Sequence, residues 1–343
     1  MQKDRKMFFR FVLILSVMML ALAGCGSNSQ EKVSKKIEKR LEQIDGYKAR
    51  AEMTMKTGQE ARKYHIDIWY KKGENDFYRV DLANEEDDNR QTILKNDEGV
   101  FVLTPVLNKS FKFQSDWPEN NGQPYLYQSL IKDITADKDA VFKATDEHYV
   151  FKTKTNYMNS KHLPYQEVYF DKKTFLPLHV KVLNEHEEPL IEVTFHDISI
   201  NPQFSEADFN REAILGDAGE KESFASMAEV DNFEVLLPLT TKGAELVETE
   251  EVELESGKRV ISTFKGERNF TLIQEQIEAI PTSASDFVEM NGELVHLGHS
   301  IGAITNEMVE WNHQGTHFYL ASEDMTMDEL IEVASSVYGR SVK

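Results

Sequence analysis

Cysteine is almost missing from this chain, with one residue, Cys25, in 343. A lone thiol forms no intrachain disulfide and no thiolate cage for a metal, so the fold must rest on its own core. Cations are in deficit too, with 39 Lys and Arg against 59 Asp and Glu and a formal charge of −20. A nucleic-acid binder neutralises phosphates with clustered Lys and Arg, so that class is excluded, and partners should be uncharged, basic or greasy. Apolar runs are short: Phe11 to Ala23, 13 residues, falls below the length of a comfortable transmembrane helix, which excludes a multi-span membrane protein. There is no H-E-x-x-H, no phosphate-cradling glycine loop and no low-complexity tract. What is present, 40% hydrophobic and 29% charged residues, describes a folded body of about two domains at roughly 100–200 residues each.

The N-terminus reads as a targeting segment rather than part of that body. Lys3, Arg5, Lys6 and Arg10 precede the apolar run, which ends in Leu22-Ala23-Gly24-Cys25. This is similar to the lipobox of bacterial lipoprotein signal peptides. The resemblance implies cleavage after residue 24 and a diacylglycerol on the Cys25 thiol, with no other cofactor expected. Removing residues 1–24 takes away four basic residues and one acidic, leaving 35 against 58 and a formal charge of −23. Two acyl chains, at about 0.8 kcal/mol per buried methylene, hold a protein at a bilayer where one does not. The expected location is the extracytoplasmic face of the cell membrane, and with Cys25 acylated no thiol is left for catalysis.

Residues 25–30 are small and polar, a tether. From Glu31, Val33, Ile37, Leu41 and Ile44 recur with the period of an amphipathic helix, with Ser29 as N-cap and Gly46 as stop. The period then becomes two. Tyr47 to Met55 and Tyr64 to Tyr70 alternate as a hairpin about Gly58, and further strands are predicted at 77–82, 92–94, 100–103 and 111–113. The acidic run Glu85–Asp88 reads as a solvated loop. A second helix is predicted from Pro124 to about Thr135, then strands at 140–142, 149–155, 165–170, 178–183 and 190–198. A long antiparallel sheet of this kind must curve and hide one face under helices.

Several of these segments carry a family resemblance. The first helix, Tyr47-Lys48-Ala49-Arg50-Ala51, Ile66-Asp67-Ile68-Trp69-Tyr70 and Phe77-Tyr78-Arg79-Val80 resemble the opening of the lipoprotein-carrier superfamily (LolA, LolB and RseB-like). Val168 to Leu178 is similar to its strand, Asp-turn, Pro, strand hairpin, and Phe195-His196-Asp197-Ile198, Asn201 and Phe204 to Phe209 to its closing strand and tail. The resemblance spans residues 31–210. It implies an α+β chain whose N-terminal domain is an unclosed antiparallel β half-barrel with a helical lid and an apolar cavity for an acyl chain or hydrophobic peptide, without catalytic residues. Trp69, Phe77, Phe101, Phe113, Tyr125 and Leu130 are the candidate cavity residues, although periodicity does not separate a lined cavity from a packed core. A chain fixed at Cys25 does not shuttle as soluble carriers do. Acylated members of the superfamily act as receptors of lipoprotein cargo, and RseB-like members regulate membrane signalling proteins. Similar two-domain lipoproteins of endospore-forming Gram-positive bacteria are linked to sporulation.

Residues 211–230 read as a linker with a short helix, and 231–343 as a smaller α+β module. Its strands are predicted at 233–237, 244–254, 259–264, 269–274, 293–297, 308–311 and 316–321. It closes in a helix with a Thr326–Glu329 capping box, a buried face of Leu330, Ile331, Ala334, Val337 and Tyr338, and a stop at Gly339. The stretch Trp311 to Leu320, with Glu329-Leu330-Ile331, resembles an uncharacterised extracytoplasmic module of Gram-positive membrane proteins and anti-sigma factors, which implies a regulatory or partner-contact role. Two patterns suggest chemistry. Gly298-His299-Ser300-Ile301-Gly302 matches a nucleophile elbow, but 43 residues remain after Ser300 and no His follows Asp324; a turn fits better than a hydrolase. His296, His299, His313 and His317 lie close in sequence without a metal-ligand spacing. The reading is a tethered, non-catalytic binder of a hydrophobic ligand. A sensor of a membrane partner is the alternative, and a Ser300 hydrolase a distant third.

Overall fold

The alternation of apolar residues along the first half fixes a pleated sheet with one face that must leave water, and the computed structural model is organised around that face. It describes residues 29–343 except 57–60, 85–89, 106–107, 120–121, 159, 222–232, 255–256, 277–286, 314 and 342–343. The leader, Cys25 and the acidic run at 85–88 therefore lie outside the described residues. Among those described, no helix is long and apolar enough to cross a membrane.

Helix α1 (Gln30–Glu42) leads into strands β1 (Gly46–Met55), β2 (Arg62–Lys71), β3 (Phe77–Asn84), β4 (Arg90–Asn96), β5 (Gly99–Thr104) and β6 (Lys109–Phe113). Helix α2 (Tyr127–Ala136) is followed by β7 (Val141–Ala144), β8 (His148–Lys154), β9 (Tyr165–Asp171), β10 (Pro177–Leu183) and β11 (Pro189–Ile200). β1 pairs antiparallel with β11 and joins the two meanders into one sheet. The sheet gains a twelfth strand from far along the chain, Val288–Met290, which runs parallel to β6 at Phe111–Phe113. The order runs from that strand through β6 to β1, then β11 back to β7, and the two ends do not pair. The sheet is thus unclosed, and the fold is α+β.

One face carries Ala49, Met53, Ile66, Ile68, Val80, Ile93, Val168, Val180 and Val193, packed with Val33 and Ile37 of α1 and Leu130, Ile131 and Ile134 of α2. Met290, Leu294, Ile301 and Ala303 from the second half of the chain join the same core. The helices therefore lid only part of the face, and the C-terminal half covers the rest. On the other face, Leu94, Phe101 and Leu103 are buried by Phe209, Ile214 and Leu215, which follow β11 in a 3₁₀ turn (Glu206–Phe209) and α3 (Arg211–Lys221). The expected linker thus begins with a helix packed on the sheet.

Beyond it, β12 (Leu236–Pro238) precedes β13 (Ala244–Leu254), β14 (Gly257–Gly266), β15 (Phe270–Gln276), β16 (Val288–Met290, the twelfth strand of the first sheet), β17 (Glu293–His296), β18 (Ile301–Ile304), β19 (Met308–His313) and β20 (Thr316–Ala321). A seven-stranded antiparallel sheet, β13-β14-β15-β20-β19-β18-β17, results. Helix α4 (Met327–Ser335) closes its core with Leu330, Val333 and Ala334 against Leu272, Trp311 and Leu320. The expected capping box is present: Glu329 N–H donates to Thr326 Oγ1 at 3.3 Å, and Thr326 N–H to the Glu329 carboxylate at 2.9 Å. The helix does not run to Gly339. Ser336 turns its hydroxyl onto the Val333 carbonyl at 2.7 Å, and the β-branched Val337 begins a strand, β21 (Val337–Ser341), paired with β12.

A carboxyl sits inside the first core. Asp133 on α2 is buried and accepts from Gln166 Nε2 at 2.6 Å, and desolvation pushes its pKa up to about 6. The folded state then holds this proton to higher pH than the unfolded chain does, so its contribution to stability falls as pH rises from about 4 to 6. Asp133→Asn should raise stability by about 1–2 kcal/mol at pH 8 and by markedly less at pH 4, as measured by urea unfolding at both values.

Candidate functional site

Where the first sheet, the loops beside its helical lid and α4 converge, they leave a cavity of about 670 Å³. Period-two spacing places Met53 and Met55 of β1 on it, with Leu190 and Ile191 of β11 beside them. The segment before α2 supplies Gln123 and Tyr125, and the loop between β8 and β9 supplies Tyr157, His162 and Leu163. The opposite wall comes from the C-terminal half: Val295, His296 and Leu297 around the end of β17, and Asp328, Ile331, Glu332 and Ser335, one helical face of α4.

The lining is apolar in its middle and charged at its rim. Lys242 pairs with Glu332, His162 Nε2 lies 3.8 Å from the same carboxylate, and Lys161 Nζ lies 3.4 Å from Asp328. Two of these contacts join the β8–β9 loop to α4 across the opening, and because their outer partners are exposed they add little stability. Deeper in, the Tyr125 hydroxyl and His296 Nε2 are 3.2 Å apart. Burial pushes His296 down to about 4, so its ring is neutral at physiological pH, and burial raises the Tyr125 phenol. A neutral imidazole and a phenol in an oily chamber offer orientation to a ligand rather than charge.

The sequence candidates divide. Tyr125 lines the cavity. Phe113 and Leu130 belong to the core of the same sheet face, where they fill space rather than border it. Trp69, Phe77 and Phe101 are corrected: they occupy the reverse face, with Phe77 edge-on to Phe209 at 5.7 Å and the Trp69 ring under Lys48 at 4.1 Å and Arg79 at 4.2 Å. The reason is parity, because Ile68, Tyr70 and Tyr78 take the inward positions and their sequence neighbours must point away. The half-barrel interior is itself packed, and the open space lies between it and the C-terminal half. Met53, Met55, Leu163 and Ile331 escaped notice as lining; the methionine alternation and the α4 stripe were their only sequence signals.

Ser300 is buried and its hydroxyl is engaged in hydrogen bonds. Its hydroxyl donates to the Asn312 carbonyl at 2.5 Å and lies 3.2 Å from Gln91 Nε2, and a strand follows it where a hydrolase needs a helix. Both glycines of the pattern have local causes: Gly298 adopts φ +84°, and a Cβ on Gly302 would stand 2.6 Å from the Glu310 carbonyl. The histidines spread out. His299 and His313 meet ring to ring at 5.0 Å, while His317 Nδ1 lies 2.8 Å from Asn312 Oδ1. Among the described residues no group of three or more His, Cys, Asp or Glu is placed to hold a metal ion.

Gln91 belongs to β4, and its amide also accepts from Ile301 N–H at 3.0 Å, so it ties the first sheet to the second. Gln91→Ala and Ser300→Ala should each cost about 1–2 kcal/mol, and a double-mutant cycle in urea should return a coupling of about 1 kcal/mol.

Comparison with known proteins places the chain. The sequence family described as Sporulation protein YdcC-like matches residues 5–209. The sporulation protein YdcC of Bacillus subtilis (strain 168) is 41% identical over 346 residues, with the whole of both chains covered. Among solved structures, the MucA/MucB complex of Pseudomonas aeruginosa matches at 14% identity over 90% of this chain and 99% of that one, with a TM-score of 0.34. A putative outer membrane lipoprotein-sorting protein domain from Vibrio parahaemolyticus matches at 16% identity over 55% and 100%, with a TM-score of 0.33. The expected link to sporulation is carried by the Bacillus relative. This chain belongs to the YdcC-like family of sporulation proteins.

Proposed function

We propose that this protein is a lipid-anchored extracytoplasmic lipoprotein of sporulation that takes the apolar part of a ligand into the cavity, without catalysis. The observation that carries this reading is the cavity itself, of about 670 Å³, walled by Met53, Met55, Leu163, Leu190, Ile191, Val295, Leu297 and Ile331. Its size suits a small ligand, and its few polar groups, Tyr125, His296 and Gln123, suit one with a limited polar end. The leader ending in Cys25 supports the anchor, and Ser300, buried in the bend just before β18, argues against a hydrolase. Residues 31–210 and 231–343 would then act as two walls of one site rather than as binder and bystander.

That shared lining favours a second, compatible reading as a sensor. A ligand touching both walls shifts their relative placement only by the difference in its affinity for the two arrangements, and contacts on both sides supply such a difference. A membrane regulatory protein would be the recipient of that change.

Native mass spectrometry of gently extracted protein should reveal a co-purified lipid or hydrophobic peptide, and Leu163→Trp, which fills the cavity, should remove it while the circular dichroism spectrum stays unchanged. Recovery of empty protein under every extraction sinks the binding role. Separately, Cys25→Ala should shift the chain out of the membrane fraction or leave an unprocessed precursor; unchanged fractionation and processing would refute the anchor.

A further inference from the structure

β13 stands apart from the other sheet edges. The remaining edge strands, β7, β12, β16, β17 and β21, are four, three, three, four and five residues long, whereas β13 has 11. Among the described residues it pairs with β14 alone, and from Glu245 to Glu251 every residue is exposed, so a long row of backbone donors and acceptors is left without a partner strand. Only Ala244 at its start is buried, and Leu246 and Val247 are 42% and 53% exposed. A row of this kind is a template for another strand unless something blocks it.

Charge decides which strand is admitted. The register with β14 turns Glu245, Glu248 and Glu250 to one face beside Lys265, Thr263 and Ile261, and Glu251 and Glu253 to the other beside Val260 and Lys258. Lys258 neutralises Glu251 at 2.5 Å, while Glu248 and Glu250 have no cationic partner among the described residues. A second copy laid against this edge would set carboxylate beside carboxylate, which is unfavourable, so self-pairing is suppressed. A strand with lysine or arginine on alternate positions meets the opposite condition, gaining the backbone ladder and cross-strand ion pairs together. The chain's formal charge of −20 acts in the same direction on approach.

We infer that β13 is a docking edge for a basic, extended segment of a partner protein, which adds to the seven-stranded sheet as an eighth strand. This surface belongs to the C-terminal half and does not depend on whether the cavity is occupied.

The test uses the full mature chain and a fluorescent peptide alternating lysine with threonine, followed by anisotropy. Binding is expected, with amide hydrogen exchange slowed across residues 244–254. The same peptide with its backbone amides N-methylated keeps its charge but cannot form a ladder, and should bind at least about tenfold more weakly. The exposed pair Glu248→Lys and Glu250→Lys should weaken the unmodified peptide by a similar factor with no change in thermal unfolding. Absence of binding by the unmodified peptide, equal binding of the methylated one, or protection elsewhere in the chain would each overturn the inference. Equal binding would reduce the edge to a diffuse acidic surface.

Discussion

Hiding one face of the twelve-stranded sheet from water is the constraint from which the other features follow. A fully buried large aliphatic or aromatic side chain is worth about 1.5–3 kcal/mol, and that face holds more of them than two short helices can cover. Helices α1 and α2 span 13 and 10 residues and lie over part of it. The rest is met by β16 to β18, whose Met290, Leu294, Ile301 and Ala303 enter the same core. The C-terminal half is therefore part of the lid, and the cavity lies where the two coverings meet imperfectly.

This origin accounts for the character of the site. Walls recruited from a core are apolar, so the lining is methionine, leucine, isoleucine and valine. Charge enters from the loops, which must be solvated, and from α4: Lys242 and His162 lie in loops and face Glu332 on the helix. His296 sits between these zones, neutral and beside Tyr125.

Much of the fold was legible in the sequence because period two is a strong signal where one face is buried and the other wet. β1 and β2, with their regular inside and outside positions, were read nearly to the residue. The signal failed where both faces are buried. β5 reads as a continuous apolar run, and Ile93-Leu94 of β4 breaks the alternation, because Ile93 and Val102 go to one core and Leu94 and Phe101 to the other, and nothing in such a pattern says which face holds a cavity. Val288–Met290 is three residues long and pairs with residues about 180 positions away in sequence, a distance at which no local pattern operates. The final strand was hidden inside a helical period, and its true state depended on Ser336 bonding back to Val333 and on the presence of β12. The cavity was invisible for the same reason, since its walls meet only after the two sheets dock.

The parallel pairing of β16 with β6 bears on where the first unit of the chain ends. The stretch recognised as the family, residues 5–209, stops well short of the residues that finish its own sheet. The span matched by the family model is thus smaller than the set of residues that builds the sheet, whereas the Bacillus relative matches the whole chain. A chain cut after residue 209 would therefore leave β6 as an open sheet edge, with the backbone of Phe111–Phe113 without its partner strand.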